Sequence, residues 1–142
     1  MGSLTFFPRS ERSRPEAYAG PLMDDWSALL LKSPTLLLSG PREATDEFIT
    51  AATPTLRAPV RRYACGTPLP LPPPDGTLIL DDIEALDAER QEGLLRWLED
   101  AQSAETQTIA ITTASLYTRV QSGTFSSTLY YRLNTLYVEI GV

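Results

Sequence analysis

Short apolar runs and longer amphipathic stretches alternate along this chain. The apolar runs are bounded by Gly, Pro or Asp, and such brief runs are typical of buried strands in a parallel sheet. A weaker run and a segment that is apolar at every second residue indicate two more strands. Because strands and helices alternate, we expect a three-layer αβα sandwich with a mostly parallel sheet. The strong runs are 35–39, 77–80 and 108–113, and the others are 60–65 and 136–140.

Apolar residues at three-and-four spacing predict helices between these strands. Thr45 is the expected N-cap of the helix after the first strong run, with Asp46 and Glu47 in its first turn and Pro54 at its end. Asp87 is the expected cap of a later helix. Other helices are predicted over 16–32, 115–123 and 125–134.

Proline marks two segments that do not fit this pattern. Residues 1–15 combine Pro, Arg and Ser, which predicts an N-terminal arm of low structure before a single domain over 16–142. Residues 66–74 contain five prolines and predict an extended connection that cannot lie in a sheet. We interpret this run as a stiff spacer, and recognition by an aromatic groove is the alternative.

Composition narrows the chemistry that the chain can perform. Its 142 residues are 42% hydrophobic and 21% charged, which fits one soluble domain. Histidine is absent, so imidazole bases and histidine metal ligands are excluded. The single cysteine, Cys65, excludes an internal disulfide and is interpreted as a buried apolar residue. No apolar run reaches the length of a membrane span, and we expect a cytoplasmic protein.

Charge is unevenly distributed along the sequence. The net charge is −6, and residues 75–105 carry ten acids against two bases. An acidic middle disfavours contact with a phosphate backbone, so we expect protein partners, with neither nucleic acid nor a membrane bound directly by this domain.

Two segments resemble the ATPase domain of sigma-54-dependent transcriptional activators. The run Gly76-Thr-Leu-Ile-Leu-Asp81-Asp82-Ile83 is similar to the Walker B strand of that family. Gly123-Thr-Phe-Ser-Ser-Thr-Leu-Tyr-Tyr-Arg-Leu-Asn134 resembles its Gly-x-Phe-x-x-x-Leu-Tyr-Tyr-Arg-Leu-Asn segment. The resemblance covers about 33–142 and implies the αβ core of an AAA+ P-loop NTPase. The family's helical lid and DNA-binding helix-turn-helix would lie beyond Val142.

The segment at the position of the family's P-loop departs from the pattern. Aligned on Gly40, the later glycines are replaced by Glu43 and Thr45, and the phosphate-binding lysine by Asp46. Arg42 is the one base in this segment, because the only lysine of the chain, Lys32, precedes the strand. Acids around a helix terminus repel phosphate, so the resemblance implies a degenerate nucleotide site.

The other positions implied by the resemblance are partly altered. Asp81 matches the magnesium-linked Walker B aspartate, and Asp82 replaces the glutamate that orients water. Asp81 is a weak candidate metal ligand, since two carboxylates make a poor magnesium site. Thr113 stands at the position of the sensor asparagine. Arg132 matches one of two arginines offered to a neighbouring subunit, and Ser126 replaces the other.

These departures favour a pseudo-ATPase that serves a transcription regulator. The segment 66–74 also replaces the long insertion with which the family touches the sigma factor. We expect no catalytic residues and no cofactor, and contacts with itself or with an AAA+ activator. One alternative is a live ATPase in which Arg42 holds phosphate and Asp81 holds magnesium. Another is an inactive clamp-loader-like subunit.

Overall fold

The computed structural model describes residues 4–6, 35–66, 71–73, 75–103 and 106–141. The predicted helix over 16–32 and most of the predicted arm lie outside these residues. The strands are β1 (Leu4–Phe6), β2 (Thr35–Ser39), β3 (Val60–Ala64), β4 (Thr77–Asp81), β5 (Gln107–Thr112) and β6 (Leu136–Glu139). The helices are α1 (Arg42–Ala52), α2 (Ala88–Ser103), α3 (Leu116–Gln121) and α4 (Ser127–Leu133), with 3₁₀ turns at Thr53–Thr55 and Ile83–Ala85.

The six strands form one sheet in the order β1-β6-β2-β5-β4-β3, and every neighbouring pair is parallel. Leu36 in β2 is paired with Ile109 of β5 on one side and with Leu136 of β6 on the other. The chain leaves β2 towards β3 and later returns past it to β6. Ligands of open α/β sheets bind where the connections diverge in this way, at the carboxyl ends of the strands.

The sheet is covered on both faces, which gives the three layers expected from the sequence. α1 packs on one face, with Phe48, Ile49 and Ala52 against alternate residues of the strands. α2, α3 and α4 pack on the other face, where Leu94, Leu98, Leu129 and Leu133 are buried. β2, β4 and β5 are therefore buried on both sides, and this explains their continuous apolar sequences.

Two local expectations were wrong. The segment expected to be an arm of low structure contains β1, which extends the sheet by pairing with β6. Three residues are too few for a periodic signal, and the open edge of β6 provides the hydrogen bonds. Thr45 does not cap α1, because the helix already begins at Arg42 with Pro41 as N-cap and no side-chain cap. Thr45 is buried in the second turn, and its hydroxyl donates to the Arg42 carbonyl at 3.0 Å.

The other predicted helix boundaries hold to within a few residues. Asp87 caps α2 by accepting from the Arg90 amide at 2.8 Å. Gly123, with φ of 82°, follows the end of α3 as a residue free to adopt the left-handed region. In the part of the chain that the structure describes, none of the helices has the length and apolar character needed to cross a bilayer.

Candidate functional site

The connection from β2 to α1 is only two residues long, Gly40 and Pro41. A phosphate-binding loop needs several non-helical residues whose amides point inward. Here the residues from Arg42 onward are helical, and the Thr45 amide donates to the Pro41 carbonyl at 3.0 Å. The Gly40 amide donates to Thr112 at 3.1 Å and so extends the sheet. A helical turn therefore stands where a phosphate cradle would be.

Gly40 is needed at this position for packing. A Cβ on Gly40 would collide with the Ile140 carbonyl, because the end of β6 passes directly against it. Gly141 packs in turn on Pro41 and Ala44 in the first turn of α1. The residues after β6 thus cover part of the helix end, and close approach of backbone is a sufficient reason for glycine here.

Arg62 joins the two acidic segments of the site. Its Nε donates to Asp81 Oδ2 at 2.6 Å, and its Nη2 donates to Asp81 Oδ1 at 3.0 Å. The same Nη2 donates to Asp46 Oδ1 at 2.7 Å. The hydrogen bonds that Arg62 donates to Asp81, and secondarily to Asp46, raise the pKa of Arg62 against the opposing effect of burial. One guanidinium therefore pairs with both carboxylates, those at the positions of the Walker A lysine and of the Walker B aspartate.

Arg42 makes a second ion pair beside the first. Its Nη2 donates to Asp82 Oδ1 at 2.8 Å. Asp82 has φ of 56°, a left-handed conformation that Asp tolerates better than Glu or most other residues. The backbone at Asp82 thus gives a reason for Asp rather than Glu at this position. Arg42, proposed above as a phosphate ligand, is paired with an acid of its own chain.

Thr113 lies exposed just beyond β5. Its hydroxyl is 3.5 Å from Glu84 Oε2, whereas the hydroxyl of the buried Thr112 is 2.7 Å from Glu84 Oε1. Glu43 is exposed in the first turn of α1. The structure therefore brings Asp46, Asp81 and Asp82 together with two arginines, and places Thr113 one strand away.

Arg132 lies on α4 and points towards α2. Its Nη2 donates to the Leu98 carbonyl at 3.4 Å, and the side chain is partly buried. Ser126 caps α4 by accepting from the Leu129 amide at 3.1 Å. These contacts give both residues structural roles within the chain.

Magnesium does not fit this arrangement. Both carboxylate oxygens of Asp81 accept from Arg62, so a cation could bind Asp81 only after displacing the guanidinium. Among the described residues, no three Asp, Glu or Cys side chains are grouped so that they could hold a metal ion.

Sequence reasoning did not identify Arg62 or Gln91. Gln91 is buried in α2, where its amide donates to the carbonyls of Leu86 and Thr124 and its oxygen accepts from the Ser126 amide. It ties the loop before α4 to α2. A polar residue on the apolar face of a helix was the available signal for Gln91, because a buried amide requires partners.

The burial of Cys65 leads to a prediction about pH. Burial, with smaller effects from Asp81, Asp82 and Glu84, raises the pKa of Cys65 to about 12 from its ordinary value of 9.0. The folded state then holds the thiol proton more tightly than the unfolded state does, so stability should fall as pH rises from about 9 towards 12. Urea denaturation across this range should show a smaller alkaline loss for Cys65→Ala, and an equal loss would contradict the assignment. At pH 8 the folded wild-type thiol should also resist an aromatic disulfide reagent.

The parallel sheet with helices on both faces is the fold of AAA+ P-loop NTPases. Residues 73–141 match the family model described as the sigma-54 interaction domain. These residues make up just under half of the chain, and over them the chain is similar to that family. No curated protein sequence matches the chain.

Solved structures show the same fold at low sequence identity. NtrX from Brucella abortus in complex with ADP has a TM-score of 0.69 at 18% identity, and the match covers 87% of this chain and 35% of NtrX. The complex of NtrX with ATP gives 0.68 at 20% identity, covering 86% of this chain and 36% of NtrX. RuvB from Thermotoga maritima, a Holliday junction branch migration motor, has a TM-score of 0.56 at 16% identity. That match covers 85% of this chain and 45% of RuvB. The chain thus spans less than half the length of these proteins.

Proposed function

We propose that this domain is a pseudo-ATPase: a sigma-54 interaction domain that keeps the AAA+ core and acts through protein contacts without binding ATP. The observation that carries the proposal is the bridge from Arg62 to Asp81 and Asp46. A positive side chain of the protein occupies the place between the two acidic segments that a nucleotide's magnesium would need. The two-residue link between β2 and α1 supports the same conclusion, because it leaves no loop to enclose a phosphate.

Charge also makes the site unfavourable for a triphosphate. Glu43 and Asp46 lie in the first two turns of α1, where a P-loop protein offers amides and a lysine. Arg42 is the nearest base, and binding phosphate would require it to leave Asp82. The alternative of a live ATPase through Arg42 and Asp81 must therefore break the Arg42–Asp82 and Arg62–Asp81 ion pairs, and we do not favour it.

The function that remains is contact with other proteins of a transcription regulator. The family implies contact with the sigma factor or assembly with like domains. Since 66–74 is too short for the family's sigma-touching insertion, we favour assembly with itself or with an AAA+ activator. Sedimentation of the chain alone, and mixed with such an activator domain, distinguishes these two partners. A lone monomer in both experiments would contradict this part of the proposal.

The test of nucleotide binding is calorimetric titration with ATP and magnesium. We expect no saturable heat and no increase in Tm at millimolar ATP. A ligand present at a hundredfold excess over its Kd would add about 2.7 kcal/mol of stability, a shift that is easily measured. The NtrX domain, whose structures contain ADP and ATP, is the positive control. Micromolar binding would overturn the proposal, and its loss in Arg42→Ala would establish the alternative.

A further inference from the structure

A cavity of about 620 Å³ opens beside the Gly40–Pro41 turn, at the carboxyl ends of β2, β5 and β6. Ser39 and Thr112 line its floor, where the two central strands end. None of the five charged side chains of the ion-pair network described above lines it. The cavity is therefore distinct from the bridge made by Arg62, although it shares Gly40, Pro41 and Thr113 with the positions of the nucleotide site.

Three tyrosines form the apolar wall of the cavity: Tyr117, Tyr130 and Tyr137. The rings of Tyr117 and Tyr130 are 5.8 Å apart between centroids and inclined at 45°. Burial, and then the neighbouring tyrosines, raise the pKa of Tyr130, which agrees with a cluster of rings. Tyr117 is 47% exposed, a large fraction for an aromatic ring that has no described partner beyond Tyr130. Aromatic rings in this arrangement present several faces to one volume.

Glu139, at the end of β6, supplies the charge of the cavity. Glu139 is partly buried. Burial is the main cause of the raised pKa of Tyr137, the charge of Glu139 adds to the increase, and a hydrogen bond with Ser39 opposes it. Every other described residue lining the cavity is uncharged. Across the described ranges, no arginine or lysine forms an ion pair with Glu139. A half-buried carboxylate without a counterion is unfavourable until a cation reaches it.

We propose that this cavity binds an organic cation, that is, an ammonium or guanidinium group carried on an apolar body. The cation lies against the faces of Tyr117 and Tyr130 and is paired with Glu139, and the apolar body contacts Leu37 and Leu116. Anions are disfavoured by the same carboxylate, and neutral aromatic molecules lack the ion pair.

The test uses benzyltrimethylammonium as the cation, benzyl alcohol as the neutral comparison and benzoate as the anion. Binding is followed by NMR of the tyrosine ring protons during titration. We expect saturable shifts at Tyr117 and Tyr130 with the cation, an affinity about tenfold weaker for the alcohol, and no binding of benzoate. Equal affinity for cation and alcohol, or no saturable shift with any of the three, would overturn the proposal.

Variants locate the interaction. Glu139→Gln should lower the affinity for the cation about tenfold, whereas Glu47→Gln, which removes the same charge from an exposed position on α1, should leave it unchanged. Tyr117→Leu, at an exposed position outside the core, should weaken binding severalfold. If both Glu139→Gln and Tyr117→Leu bind like wild type, the cation lies elsewhere and the assignment fails.

The cation can come from a free amine or from a side chain of another protein, and two further probes separate these sources. N-acetyl-arginine amide and N-acetyl-lysine amide carry the same groups on a peptide backbone. Tighter binding of either amide than of benzyltrimethylammonium indicates a protein side chain. The reverse order indicates a free organic cation. Either order of affinity supports a cation site, provided that the binding is lost in Glu139→Gln.

Discussion

Replacing Arg62 with alanine is expected to destabilise the domain by about 2 kcal/mol and to create a requirement for divalent cations. The variant leaves the Asp81 carboxylate, 14% exposed, beside Asp46 without its counterion. Loss of one member of a buried pair costs about 3–5 kcal/mol, and the 36% exposure of the Arg62 side chain reduces this by solvent screening. Magnesium at millimolar concentration should restore part of the loss, because two adjacent carboxylates then have room for a cation.

Urea denaturation with and without magnesium measures both effects. Arg61→Ala is the matched control, since Arg61 is the adjacent residue of β3 and pairs with the exposed Asp75 at 2.8 Å. It should cost at most about 1 kcal/mol and show no response to magnesium. Arg62→Lys should fall between wild type and alanine, because it keeps the charge and loses the two-pronged contact. If Arg62→Ala is no less stable than Arg61→Ala, the bridge is a surface ion pair and does not hold the site closed.

The apolar pattern was sufficient to predict most of this fold. β2, β4 and β5 lie in the middle of the sheet and have helices on both faces, so their sequences are continuously apolar and bounded by turns. Asp87 was predictable as a cap because its role depends only on the following three residues. Features set by local sequence were therefore accessible, with β1 as the exception because it is only three residues long.

The central contact of the site was not predictable in this way, because it depends on strand register. Ala64 is paired with Asp81, and Arg62 with Ile79, so Arg62 and Asp81 are diagonal neighbours on the same face of the sheet. The sequence separates them by 19 positions and contains no sign of the register. The sequence does show an arginine in one strand and an acid at the end of the next. Only the register of the two strands shows that these side chains meet.

The predicted start of α1 was wrong for a different reason. Thr45 followed by two acids fits the pattern of a helix N-terminus, and the earlier residues align with a loop in the related ATPases. Pro41 instead begins the helix turn, since its fixed φ of about −65° suits the start of a helix and it has no amide to satisfy. The same residue that shortens the loop thus removes the phosphate cradle. Under the proposed function, the early helix start and the loss of nucleotide binding are one structural change.

The turn before β4 should be the position least tolerant of a single added methyl group. Gly76 has φ of 65°, and a Cβ there would collide with the backbone and ring of Pro59. The Thr77 amide donates to the Pro59 carbonyl at 2.9 Å, and the Gln107 amide donates to the Gly76 carbonyl at 3.0 Å, so neither side can move away freely. Gly76→Ala is expected to cost about 2–4 kcal/mol, from strain at positive φ and from overpacking.

Gly93→Ala is the matched control for this substitution. Gly93 lies inside α2, and a Cβ there meets no atom within 4 Å. Alanine should therefore stabilise the domain by about 0.5–1 kcal/mol through helix propensity. Urea denaturation should therefore show a lower free energy of unfolding for Gly76→Ala and a higher one for Gly93→Ala. An unchanged stability of Gly76→Ala would contradict the tight turn described here. Because β4 ends at Asp81, loosening this turn should also weaken the bridge to Arg62, so Gly76→Ala and Arg62→Ala should destabilise less together than the sum of their separate effects.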